Sequence, residues 1–312
     1  MHSLDPKQTR AFLAAIEAGT VRGAAEGLAV EPSTVSRAIA GLERQLATTL
    51  IERGRRGVQP TEAGTLLRDL LRRQAGELEA LQSQFDDLKG MARGTVVLAV
   101  GEGFAGDLVG GALPGFVAAH PGISYTMTVG STEAVTHRII TDQAHIGLAY
   151  DVQPDRQIKL LARNPQPLVM LARPESRFAR TSGPLDMAAL AGFPAAVAAG
   201  GTGIGALLAR AEARTGQRLH AVVQSGSIAV LLAFARAGLG VTFLPRFAAM
   251  ADIAEGRLIA HDIAEPAFRA SEAALIARQG RELPRAAQAL AGHLARHMLA
   301  YSEPLTLRSA QR

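Results

Sequence analysis

The sequence predicts a two-part protein. A helical N-terminal part with a helix-turn-helix pattern leads into a long linking helix, and an α/β part follows. Three observations carry this. Apolar residues recur at helical spacing in short segments over residues 6–58. They alternate steps of four and three over residues 61–90. From Thr95 onward, short apolar strands alternate with helical patterns, which predicts mostly parallel sheets covered by helices. A length of 312 residues fits two or three domains.

Phe12, Leu13 and Ile16 place the first helix in 7–18, and Gly19 ends it. Thr20 caps a second, with Val21, Ala25 and Leu28 on one face. After a break at Ala29–Glu31, Pro32 opens a third, because proline's missing donor costs nothing in a first helical turn. Val35, Ile39, Leu42 and Leu46 form its apolar stripe. Two helices joined by a short turn, the second longer, make the helix-turn-helix pattern over about 21–40. Thr61 caps the long helix, and Leu67, Leu71, Gln74, Leu78, Leu81, Phe85 and Leu88 form a seam that needs a partner. The sequence predicts strands at 95–100, 123–129, 145–150, 167–172, 194–198, 220–225, 240–244 and 272–277, and helices at 104–118, 132–142, 203–215, 227–237 and 284–299. The segment from Ser302 reads as a polar tail.

Composition narrows the chemistry. Apolar residues are 48% and charged residues 20%, enough apolar side chain for a sizeable core. There is no cysteine, which excludes disulfides, thiolate zinc sites and a cysteine nucleophile. Neither a signal peptide nor an apolar run of spanning length is evident, so a cytoplasmic location is expected. The net charge of +5 does not by itself point to nucleic acid. Residues 1–90 hold 12 basic and 12 acidic side chains, and the excess lies beyond them.

Local clustering speaks more clearly. Ser33, Thr34, Ser36 and Arg37 lie off the apolar stripe in the first turns of the third helix, where small polar and bidentate donors suit a major groove. Arg53-Gly54-Arg55-Arg56-Gly57 follows. Residues 32–57 carry five Arg against two Glu. Arginines in a glycine-flexed tip suit phosphates or a minor groove. A small helical bundle with a solvated polar face would show the same spacing, but the two features together favour DNA.

Ala24-Ala25-Glu26-Gly27-Leu28, Ser33-Thr34-Val35-Ser36-Arg37-Ala38-Ile39, Leu42-Glu43, Leu50-Ile51-Glu52-Arg53 and Thr61-Glu62-Ala63-Gly64 together resemble the DNA-binding domain of LysR-type transcriptional regulators. Glu31-Pro32 departs from the family's usual Ser-Gln. Glu31 is expected to cap poorly, and the missing Gln removes a common DNA contact. Farther along, Leu113-Pro114-Gly115-Phe116, His120-Pro121-Gly122 and Ala237-Gly238-Leu239-Gly240-Val241-Thr242-Phe243-Leu244-Pro245 resemble the family's effector domain. The resemblance covers nearly all of 4–299. It implies an all-α winged helix-turn-helix at 4–61, a linker and dimerisation helix at 62–90, and an α/β effector domain at 94–300. That domain would have two lobes like a periplasmic binding protein, lobe I at about 94–163 and 268–300 and lobe II at about 164–267. Two crossing strands, near 163–172 and 268–277, would join them. The implied partners are double-stranded DNA, a small-molecule effector, RNA polymerase and a second copy of the chain, as a homodimer or a tetramer built from two. No cofactor is implied.

Candidate site residues follow from this frame. For DNA they are Pro32, Ser33, Thr34, Ser36, Arg37, Arg53, Arg55 and Arg56; for the dimer seam, Leu67, Leu71, Leu78, Leu81, Phe85 and Leu88. Loops after strands point into the crevice of such sheets, which nominates Gly101, Glu102, Gly103, Ser131, Thr132, Gly201, Thr202 and Ser227 for the effector. Helix starts offer amides to an anion, so a carboxylate-bearing metabolite is expected. Glu102 suggests an amine or hydroxyl elsewhere on it. Ser131, Thr202 and Ser227 could also be plain helix caps.

Enzyme readings are weaker. Gly201-Thr202-Gly203-Ile204-Gly205-Ala206 matches G-x-G-x-x-A, but no Asp or Glu lies between Glu212 and Asp252 to bind a ribose. Gln224-Ser225-Gly226-Ser227-Ile228 has the wrong spacing for a serine elbow. His293 and His297 share a helical face but lack further ligands, so a solvated face is expected. No catalytic activity is expected. A two-lobe binding protein without a DNA role would leave the first 90 residues unexplained.

Overall fold

A computed structural model of the chain describes residues 4–54, 57–88, 94–181, 183–200 and 202–301. Two compact units make it up, Met1–Leu78 and Glu79–Arg312.

The first unit begins with α1 (Pro6–Ala18), α2 (Val21–Leu28) and α3 (Pro32–Leu46). Asp5 caps α1 by accepting from the Lys7 amide, and Thr20 caps α2 by accepting from the Gly23 amide. Glu31 makes no side-chain cap on α3. Pro32 has already removed one of the amides that a cap would serve. Phe12, Ala24, Ala25, Val35, Ile39 and Leu42 are buried together. On α2 the two alanines form the buried face, while Val21 and Leu28 only flank it. Leu46, expected on the α3 stripe, is exposed at the helix end.

A hairpin follows: β1 (Ile51–Gly54) pairs antiparallel with β2 (Gly57–Pro60). It is tied to the helices from two sides. Glu43 of α3 accepts from the amides of Leu50 (2.8 Å) and Ile51 (3.3 Å) through one carboxylate oxygen. The Val58 amide donates to the Gly19 carbonyl at 2.7 Å. Gly57 therefore serves packing within the protein: at φ +86, a Cβ there would lie 2.3 Å from that same carbonyl oxygen. The long helix α4 (Glu62–Leu88) comes next, capped by Thr61. Arg72 on α4 pairs with Glu17 on α1 at 3.1 Å.

The second unit holds two five-stranded sheets. Its elements in chain order are β3 (Gly94–Gly101), α5 (Ala105–Asp107), α6 (Leu113–Ala119), β4 (Ile123–Gly130), α7 (Thr132–Ile140), β5 (Ile146–Tyr150) and β6 (Ile158–Pro165). Then come β7 (Leu168–Ala172), α8 (Met187–Ala191), β8 (Pro194–Ala198), α9 (Gly203–Thr215), β9 (His220–Ser225), α10 (Ile228–Arg236) and β10 (Val241–Pro245). The last are α11 (Met250–Ala254), β11 (Ile259–Asp262), α12 (Pro266–Arg269), β12 (Glu272–Arg278) and α13 (Arg285–His297).

Lobe I carries the sheet β4-β3-β5-β12-β6, and lobe II the sheet β11-β7-β10-β8-β9. The expectation of mostly parallel sheets needs correcting. β3 pairs parallel with β4 and β5, and β8 with β9 and β10, but β12 and β7 pair antiparallel with both of their neighbours. The cause is connectivity. The chain leaves lobe I at Gln166 and comes back at Ser271, and strands that flank the crossings run against those built by strand–helix–strand units. Edge strand β6 and short β11 were not expected from sequence.

Local chemistry accounts for other departures. The helix expected over 104–118 contains a π-turn at Leu108–Ala112 before α6. Pro114 has no amide to give the Gly110 carbonyl, so regular register cannot pass through it. The glycines of the dinucleotide-like run serve packing. A Cβ on Gly205 would lie 2.1 Å from the Ala199 carbonyl, and one on Gly203 would lie 2.6 Å from that of Tyr150. His293 is not on a solvated face: its Nε2 lies 2.8 Å from the Ala112 carbonyl and its ring packs on Phe116. Among the described residues, no helix is long and apolar enough to cross a membrane.

Gly64 gives a direct test of the first unit. A Cβ there would sit 1.9 Å from the Leu50 carbonyl oxygen. Gly64→Ala is expected to destabilise this unit by at least about 1–3 kcal/mol, as overpacking does. Chemical denaturation would show it as a lowered midpoint.

Candidate functional site

Two sites emerge, one in each unit. In the first, α3 buries Val35, Ile39 and Leu42 and turns Pro32, Ser33, Thr34 and Arg37 to solvent, with Ser36 half-buried. The Arg37 guanidinium folds back, its Nε donating to the Ser33 carbonyl at 3.3 Å. Pro32 has no amide and those of Thr34 and Val35 donate to the Glu31 carbonyl, so with no side-chain cap the Ser33 amide is the one this helix start offers an anion. Polar hydroxyls, one exposed guanidinium and an open helix start together suit the edge and backbone of a duplex. Arg55 and Arg56 lie outside the described residues, as does the Arg53 side chain.

Along α4 the seam divides. Leu67 is 8% exposed and Leu71 packs beside it, both against this unit's own core. Leu67 is buried there and Leu71 partly so, which corrects their place in the seam. Leu66 (68%), Leu70, Leu78 (56%), Leu81 and Phe85 are exposed. An apolar line on α4 therefore runs 66, 70, 78, 81, 85, with polar Gln74 within it. The Leu88 side chain lies outside the described residues.

In the second unit, a cavity of about 330 Å³ lies between the lobes. Of the residues nominated for the effector, Gly101, Glu102, Gly103, Ser131, Thr132 and Thr202 line it. Gly201 lies outside the described residues. Ser227 meets the site through Glu102, whose Oε1 accepts from the Ser227 hydroxyl at 2.9 Å and the Ala229 amide at 3.2 Å. Ser131 and Thr202 act as helix caps, accepting from the Ala134 and Gly205 amides. Ser227 makes no cap bond of its own. The Thr132 hydroxyl donates to the Tyr150 carbonyl at 2.9 Å.

Sequence reading missed the apolar wall: Phe104, Val129, Tyr150, Ile204, Ile228, Pro245 and Phe247. A signal existed, since Tyr150 and Pro245 end β5 and β10, and ligand crevices form at such carboxyl ends. Tyr150 matters most. Its buried hydroxyl donates to the Gln166 carbonyl at 2.7 Å and lies 2.6 Å from the Ser271 hydroxyl. It thus ties the cavity wall to both chain crossings. Burial, above all, pushes its phenol well above the ordinary range, so it stays protonated. Beside it, Asp151 pairs with Arg210 of α9 at 2.6 Å. No group of three or more His, Cys, Asp or Glu among the described residues could hold a metal.

Residues 6–65 match the bacterial regulatory helix-turn-helix protein, lysR family, and residues 89–299 match the LysR substrate binding domain. The chain belongs to the LysR family of transcriptional regulators. This LysR-type regulator is 29% identical over 296 residues to the SDS degradation transcriptional activation protein of a Pseudomonas species, covering 92% of this chain and 94% of that one. Its fold is similar to a point-substituted form of full-length OxyR from Pseudomonas aeruginosa, with a TM-score of 0.68, 18% identity, and coverage of 95% and 96%. It is also similar to full-length CbnR complexed with its target DNA, with a TM-score of 0.56, 18% identity, and coverage of 93% and 98%. As a LysR-type regulator, the chain is a DNA-binding protein with an effector-binding domain.

Tyr150→Phe keeps the ring and deletes the hydroxyl. It is expected to cost about 0.5–1.5 kcal/mol, the net worth of a typical hydrogen bond. Amide exchange near Gln166 and Ser271 should quicken, as measured by hydrogen exchange.

Proposed function

We propose that this regulator reads DNA with the outer face of α3 and senses a small metabolite in the cavity between its lobes. The observation that carries the reading is the division of α3: a buried apolar stripe on one side, and exposed Ser33, Thr34 and Arg37 on the other. Arg53, Arg55 and Arg56 would contact the backbone beside it. The α4 line supplies the dimer contact, with Leu66 and Leu70 in place of Leu67 and Leu71, so that two α3 helices reach successive major grooves. The chain acts without catalysis, in the cytoplasm where its DNA is, and contacts RNA polymerase from the operator.

Within the cavity, the starts of α7 and α9 offer amides to a carboxylate, the chemistry expected of the effector. The hydroxyls of Ser131 and Thr202 are already engaged as caps, so the amides would carry the contact.

A genome-wide binding selection with the full chain should recover a dyad-related operator; recovery of no specific sequence overturns the reading. Arg37→Ala is expected to cost about 1–3 kcal/mol of operator affinity with relaxed sequence preference if Arg37 reads a base. A uniform loss on every sequence would make it a phosphate contact. Leu78→Glu should yield monomers by light scattering. A metabolite screened by thermal shift supplies the effector for a paired titration. Thr202→Leu and Ser131→Leu should weaken the effector response and leave operator affinity without effector unchanged.

A further inference from the structure

We propose that Glu102 sets the charge class of the effector: the ligand presents an ammonium or hydroxyl donor to this carboxylate. The inference rests on the cavity being the effector site. Glu102 directly follows β3 in lobe I, yet it serves a helix of lobe II. Ser227, the residue that precedes α10, makes no cap bond of its own; its hydroxyl donates instead to Glu102 Oε1, as does the Ala229 amide. Lobe I thus supplies the cap of a lobe II helix. The positive end of that helix, the usual resting place for a ligand's anion, is filled from within the chain.

Two consequences follow for a ligand. Both bonds fall on Oε1, which fixes the carboxylate in the cavity wall and leaves Oε2 to accept from a ligand donor. No Lys, Arg or His is among the described lining residues; Phe104, Phe247, Tyr150 and Ile228 line the same cavity as Glu102. A ligand anion next to Glu102 would meet a like charge, with no cationic side chain in the described lining to offset it. A ligand ammonium there gains the opposite. The effector is therefore a small molecule with an apolar body and a donor group at the Glu102 end. A carboxylate on the same molecule keeps to the α7 and α9 starts.

Phenethylamine, 2-phenylethanol and phenylacetate share a ring and differ in the charge of their end group. Their binding to the full-length protein can be titrated by ligand-observed NMR. The wild type is expected to bind the amine about tenfold more tightly than phenylacetate, with the alcohol between them. Glu102→Gln, which keeps a carbonyl to cap α10, should erase the preference. Glu102→Asp, which keeps the charge, should retain it. Equal affinity for amine and carboxylate, no binding of the amine, or a preference that survives Glu102→Gln overturns the proposal. Thr202→Leu should weaken all three probes. Unchanged affinities in that variant would place the probes elsewhere and overturn the cavity as effector site instead.

Discussion

The effector unit depends on one buried tie. The chain passes between lobes twice, and the Tyr150 hydroxyl holds both passages, through the Gln166 carbonyl and the Ser271 hydroxyl. The Ser271 hydroxyl also lies 2.7 Å from the Phe268 carbonyl, and the Gln166 side-chain amide donates to the carbonyls of Leu299 and Ala300. The buried Asp107 carboxylate accepts from the amides of the same two residues. The crossings, the last described turn and the cavity wall are thus one hydrogen-bonded cluster. Groups buried this deeply cannot exchange partners for water, so the cluster has few alternative arrangements. A ligand against the Tyr150 ring would touch the wall that this cluster holds, and it would shift the lobes only by binding one arrangement better.

Much of this was legible in the sequence. Caps at Thr20, Ser131 and Thr202 are single-residue signals with local causes, and all of them appear in the structure. Strands β3 and β5 announced themselves by apolar runs, because burial on both faces leaves few polar positions, and edge strand β4 by the alternation of Ile123, Tyr125, Met127 and Val129 with polar residues. β6 did not, since it is an edge strand with exposed positions and carries Lys159 and Arg163 among its apolar residues. The polar half of the cavity was legible because loops after strands are rich in Gly, Ser and Thr. The apolar half was not, because Phe104 and Phe247 look like any core residue until the fold opens a space beside them. On α4, periodicity fixed the spacing but not the rotation: Leu66 and Leu67 fit a helical repeat equally well. Only burial in the core that also holds Phe12 and Ile39 decides which one faces inward.

The Glu43 contact has a bearing on how a binding site is chosen. One carboxylate oxygen on α3 holds the first two amides of the hairpin, and the hairpin's return strand is fastened to Gly19. Helix and hairpin therefore form a rigid gauge, with a set span between what each can touch. Such a gauge cannot stretch to suit a duplex. Where groove width does not match, the nucleic acid must bend or narrow, and sequences differ in how readily they do so. Part of the preference for one stretch of DNA over another would then lie in base steps that no side chain touches, read through their stiffness.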